Sequence, residues 1–109
     1  MPEIEATTSA QVQSFLVSNG GVAVVDCYAT WCGPCKTIAP YVHQKCESTG
    51  IPLVKVDVEK SEDLSKAYNI KAMPTFLVIK DQWNNIVETI VGGGQPNVDQ
   101  IFTIALKSK

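Results

Sequence analysis

With 109 residues, 45% of them hydrophobic and 18% charged, the chain is long enough for one packed core and too short for two. A formal net charge of −2 without Lys/Arg clusters argues against a nucleic-acid or membrane-surface role, and no stretch approaches the roughly 18 apolar residues of a membrane span. Four cysteines in a chain able to build its own core point away from a secreted disulfide scaffold, towards catalytic or metal chemistry in reducing surroundings.

The first residues, MPEIEATTSAQ, have no basic start and no apolar run, so a secretory signal is not expected and a cytosolic location is. Residues 3–5 suit a short edge strand. Thr8 with Gln11 makes a capping box before a helix bearing Val12, Phe15 and Leu16, which Asn19–Gly20 stops. VAVVDCY, residues 22–28, is a continuous apolar, β-branched run, the pattern of a strand covered on both faces, and Asp26 is its one acid. A helix starts at Pro34, which suits a first turn, and places Ile38, Val42 and Cys46 on one face before Gly50 ends it. Pro40 inside it predicts a kink.

PLVKVDV, residues 52–58, predicts a second central strand, and SEDLSKAYN a short helix stopped at Asn69. TFLVIK (75–80) and NIVETIV (85–91) read as a hairpin around DQWN. After Gly92–Gly93–Gly94, Asn97 with Gln100 is expected to cap a last helix carrying Val98, Ile101, Phe102 and Ala105. The order β-α-β-α-β-α-β-β-α implies parallel strands first and an antiparallel hairpin last. The expected fold is α/β, a mixed sheet with helices on both faces.

The chemistry concentrates in WCGPCK, residues 31–36. Cys32 ends the loop after a buried strand and Cys35 lies in the first helical turn, where unpaired N–H groups carry about half a positive charge. A thiolate at Cys32 gains from that potential, so its pKa is expected below that of a free thiol. Cys35, one turn deeper, is placed to attack a mixed disulfide formed at Cys32. The competing reading is a zinc site from Cys32, Cys35, His43 and Cys46. On a continuous helix, however, Cys35 and Cys46 lie about 16 Å apart, whereas zinc holds each sulfur at about 2.3 Å. Redox chemistry is the stronger reading.

WCGPC, Lys36, Pro40 five residues after Cys35, the upstream Asp26, MPT at 73–75 and Gly92 together resemble the thioredoxin family over essentially the whole chain. The resemblance implies the thioredoxin fold, a single domain over 1–109 with a central mixed five-stranded sheet flanked by four helices. It implies a protein-disulfide reductase with a Cys32–Cys35 redox disulfide, Cys32 as nucleophile and Cys35 resolving. Asp26, whose buried carboxylate has a raised pKa, then helps deprotonate Cys35, and Lys55 tunes that acid. Pro74 matches the family's cis-proline, and an extended substrate pairs with the backbone of Met73. Trp31, Gly33, Pro34, Met73, Val91 and Gly92 are expected to form a flat contact surface round the sulfurs.

No bound cofactor or metal is implied. Electrons come from NADPH through a flavin-containing thioredoxin reductase. Partners by resemblance are that reductase and disulfide-bearing targets such as peroxiredoxins, methionine sulfoxide reductase and ribonucleotide reductase, met by a monomer that serves cell redox homeostasis. Cys27 and Cys46 read as small core hydrophobes, and His43, without a carboxylate at useful spacing, as a solvated helix residue. Tyr28 stands where many relatives carry tryptophan, and the turn KDQWNNI lacks the usual glycine, which leaves Trp83 expected at the surface. Rival readings are a disulfide oxidase or isomerase, disfavoured because oxidising relatives usually carry histidine between the cysteines, and a non-catalytic binding subunit.

Overall fold

The computed structural model describes residues 2–109. Its elements are β1 (Glu3–Glu5), α1 (Ser9–Ser18), β2 (Val22–Tyr28), α2 (Gly33–Thr49), β3 (Leu53–Asp57), α3 (Glu62–Ala67), β4 (Thr75–Lys80), β5 (Ile86–Val91) and α4 (Gln95–Lys107). The five strands form one sheet in the order β1-β3-β2-β4-β5. β1, β3 and β2 run parallel, and β4 and β5 antiparallel to their neighbours. This is the mixed five-stranded sheet with four helices that the pattern implied.

β2 shows why its sequence is an unbroken apolar run. Alternate side chains point to opposite faces, and both faces are covered. Val22 and Val24 pack with Phe76 and Val78 beneath Ile38 and Val42 of α2 and Ile101 and Phe102 of α4. Ala23, Val25 and Cys27 pack with Val54, Val56 and Leu77 beneath Val12 and Leu16 of α1 and Leu64 of α3. Each fully buried side chain of this size contributes about 1.5–3 kcal/mol. By the same alternation Asp26 falls on the face of Val22 and Val24, under α2.

Local signals set the helix ends. The Thr8 Oγ1 accepts the Gln11 N–H at 3.2 Å and Gln11 Oε1 accepts the Thr8 N–H at 3.3 Å, closing the capping box of α1. α2 runs through Pro40 and ends at Gly50, whose φ of 72° is left-handed and open to glycine at little cost.

Three expectations are corrected. α4 starts at Gln95 behind Gly94, not at Asn97, because Pro96 already has the φ of a first turn and draws the helix start upstream. Trp83 is half-buried: its ring meets Tyr68 edge-on at 5.9 Å, the Tyr68 hydroxyl donates to its carbonyl at 2.7 Å, and its backbone N–H donates to Gln13 Oε1 at 2.8 Å. His43 has two carboxylate partners, Glu3 at 2.9 Å on β1 and Glu47 at 3.0 Å one helical turn on, and the Glu3 bond first holds its pKa above the usual value. Among the described residues no helix is long and apolar enough to cross a membrane.

Candidate active site

The reactive pair is built by a helix start. Cys32 is the N-cap of α2, with extended backbone, and its sulfur takes the place of the usual capping oxygen: the Cys35 N–H donates to Cys32 Sγ at 3.2 Å. Pro34 between them has no N–H, so the Cys35 amide is the donor in this first turn that meets the sulfur. The Cα atoms of Cys32 and Cys35 are 5.3 Å apart and their sulfurs are bonded. Reduction of that bond leaves Cys32 Sγ facing the N-terminus of a 17-residue helix and one directed N–H, both of which favour a thiolate. Exposure does not separate the two sulfurs. Each residue is only 6% exposed. The hydrogen bond distinguishes them.

Asp26 is 4% exposed and its Oδ1 has no hydrogen-bond partner. Burial pushes its pKa up to about 6; the Lys55 charge pulls the other way, and Glu5 and Glu3 add to the rise. A cavity of about 250 Å³ runs past Asp26, Tyr28, Cys35, Lys36 and Lys55, so the carboxyl and the second cysteine line one space. That space is roomy enough for water, and a carboxyl near neutrality beside it can hold or release a proton at pH 7.

Lys55 is the register partner of Asp26 across the parallel β2–β3 pair, and its Nζ sits 4.9 Å over the Tyr28 ring, a cation–π contact. The Tyr28 hydroxyl in turn donates to the Glu5 carboxylate. Tyrosine at 28 therefore anchors the lysine that lowers the Asp26 pKa. Lys55→Met is expected to move the Asp26 midpoint upward from about 6, read by NMR titration of the carboxyl. An unmoved midpoint would remove Lys55 from the site.

The wall beside the sulfurs comes from two loops. The Met73–Pro74 peptide is cis, and the Met73 carbonyl oxygen is 3.8 Å from Cys32 Sγ. The Pro74 carbonyl accepts the Gly92 N–H at 2.9 Å, just past the Thr75–Val91 register pair. Trp31 and Val91 are 64% and 58% exposed, large apolar surface of the kind that marks a contact site. Gly33 and Pro34 are exposed beside them. A side chain on Gly93 would sit 3.4 Å from both Pro34 and Pro74, so this loop lies against the helix start and the cis-proline together.

The other thiols are poorly suited to exchange. Burial, then the Asp26 charge, pushes the Cys27 thiol well above its ordinary value, and burial raises Cys46, whose S–H donates to the Ile51 carbonyl at 3.1 Å. Among the described residues no group of three or more His, Cys, Asp or Glu is arranged to hold a metal ion. Gly93, and Asn97 in its actual place, escaped the sequence reading; the triple glycine was the only signal of a loop in close contact.

A family model described as Thioredoxin matches residues 3–104. The chain is 37% identical over 97 residues to Thioredoxin-2 of Pyricularia oryzae, an alignment covering 88% of this chain and 56% of that protein. It is 39% identical over 90 residues to the thioredoxin of Bacillus subtilis, covering 80% and 85%. Among solved structures, reduced Schistosoma mansoni thioredoxin pre-protein superposes with a TM-score of 0.85 at 39% identity, covering 96% of this chain and 99% of that one.

Proposed function

The chain belongs to the thioredoxin family, and from that premise we propose that it reduces protein disulfides by dithiol–disulfide exchange at Cys32 and Cys35. The observation that carries the reading is the N-cap sulfur. Cys32 Sγ accepts the N–H of the residue to which it is bonded, at the start of α2, and that residue, Cys35, lines one cavity with Asp26, whose buried Oδ1 has no partner.

In the dithiol form, Cys32 thiolate attacks one sulfur of a target disulfide. That S–S bond breaks, its electron pair leaves with the second target sulfur, and a mixed disulfide joins Cys32 to the target. Cys35 then passes its proton through the cavity to the Asp26 carboxylate and attacks Cys32 Sγ. The mixed disulfide breaks, the target leaves with two thiols once protonated, and the chain carries the Cys32–Cys35 bond. Two electrons have moved from this chain to the target.

The return step needs two electrons, which we assign to NADPH through a flavin-containing thioredoxin reductase, with no cofactor held by this chain. Peroxiredoxins, methionine sulfoxide reductase and ribonucleotide reductase are the targets proposed, in the service of cell redox homeostasis by a cytosolic monomer. Family members carry names such as "Thioredoxin Y1, chloroplastic" in Arabidopsis thaliana and "Mitochondrial Thioredoxin 3" in Saccharomyces cerevisiae, so the family is not confined to one compartment.

The test is reduction of a model protein disulfide with NADPH and a thioredoxin reductase, paired with equilibration of the chain in a glutathione buffer. Turnover and a potential near about −270 mV are expected; no turnover, or a potential near the roughly −120 mV of a strong oxidant, defeats the reading.

A further inference from the structure

Asn97 has a task other than capping. It lies in the first turn of α4, half-buried, and its Nδ2 donates to two carbonyls outside the helix, those of Val91 at 3.3 Å and Gly92 at 3.2 Å. Val91 is the last residue of β5 and Gly92 the first beyond it. The Gly92 N–H donates to the Pro74 carbonyl at 2.9 Å, and Gly93 fits against Pro34 and Pro74. One amide side chain thus ties α4 to the strip of backbone that borders the cis-proline, whose preceding carbonyl is 3.8 Å from Cys32 Sγ.

The strip needs a tie. Gly92–Gly93–Gly94 is a run of the residue with the most backbone freedom, so holding it in one shape costs more entropy than for any other sequence. Gly92 has φ 114°, and a side chain there would place its first carbon 3.0 Å from Asn97 Nδ2. The positive φ strains any other residue at 92, and a side chain there would crowd the Asn97 amide.

We propose that Asn97 is a positioning residue for protein substrates: by holding residues 91–93 against Pro74 it keeps one wall of the groove in place for the extended segment of a target that lies beside Cys32. This rests on the protein-disulfide reductase reading above. A protein target must lie along both walls, so it benefits from a preformed groove. A small disulfide needs only the sulfurs. The loss caused by breaking the tie should therefore fall on protein targets.

The experiment uses the full chain, pre-reduced and freed of reductant, as wild type, Asn97→Ala and Asn97→Asp. Second-order rate constants are measured with insulin and with bis(2-hydroxyethyl) disulfide. Aspartate keeps the size of the side chain and puts a negative charge in the first turn of α4, where the helix dipole favours it. It cannot donate, and its oxygens repel the two carbonyls. Both variants should lower the insulin-to-small-disulfide rate ratio five- to tenfold while remaining folded at the assay temperature, as read by circular dichroism. A wild-type ratio in either variant, or equal losses on both substrates, overturns the role of Asn97 and leaves the reductase reading standing. A wild-type chain that reduces the small disulfide but not insulin overturns the reductase reading itself, and this inference with it.

Discussion

Cys32→Ser is expected to abolish reduction of protein disulfides, and Cys35→Ser to freeze the reaction halfway. A serine hydroxyl is essentially never ionised at pH 7, and the one N–H aimed at position 32 cannot make up that difference. A loss of at least about 10³-fold is expected. In Cys35→Ser the attacking sulfur and its helix N-terminus are intact, and the N–H of residue 35 still points at Cys32 Sγ. The first exchange proceeds, no second thiol arrives, and the target stays bound as a stable mixed disulfide. Mass spectrometry after mixing with an oxidised target should find one covalent adduct on Cys35→Ser and none on Cys32→Ser. An adduct through Cys35 in the Cys32→Ser variant, formed at a comparable rate, would reverse the assignment of roles.

Asp26→Ala is expected to make the protein more stable and slower. In the unfolded chain this carboxyl titrates near 3.8; in the folded chain burial raises it to about 6. Below about pH 4 both states are protonated and the group is neutral in the balance. Between about 4 and 6 the folded state holds more protons than the unfolded one, so stability falls as pH rises. Above about 6 the full cost is present, about 3 kcal/mol for a shift of two units. Alanine removes it at pH 7.5, which raises Tm by about 10 °C, and the gain should vanish at pH 4. The same substitution deprives Cys35 of its proton acceptor, a loss of roughly 10² in release of the mixed disulfide near neutral pH. Calorimetry at the two pH values checks the first part and stopped-flow release of a labelled target the second. A Tm difference that does not depend on pH would show that Asp26 carries no buried charge.

Much of this site was legible in the chain because its parts are local. The two cysteines, the proline between them and the helix they open lie within four positions, so spacing alone brings the sulfurs together. Thr8 and Gln11, Gly50, and the both-sides-buried run of β2 act over three to seven residues in the same way. Asp26 stood out because an acid in such a run contradicts its surroundings.

What spacing did not convey was who meets whom across the fold. Asn97 carries the same preference for a helix start whether it caps its own helix or reaches a neighbouring loop, and only the packing of α4 beside β5, with Pro96 shifting the first turn, selects the loop. Trp83 reads as a surface residue in a polar turn until Tyr68 and Gln13, 15 and 70 positions away, close over it. His43 gains Glu3 from 40 positions away because β1 adds to the sheet edge beside β3, which brings Glu3 within reach of α2. The spacing of residues along a chain dictates the chemistry of a turn, a cap and a sulfur pair, since those energies act over a few bonds. Which loop walls the sulfurs, and which charge sits over Tyr28 to hold Asp26 near neutrality, depends on strand order and helix docking, where contacts form between segments that no local pattern links.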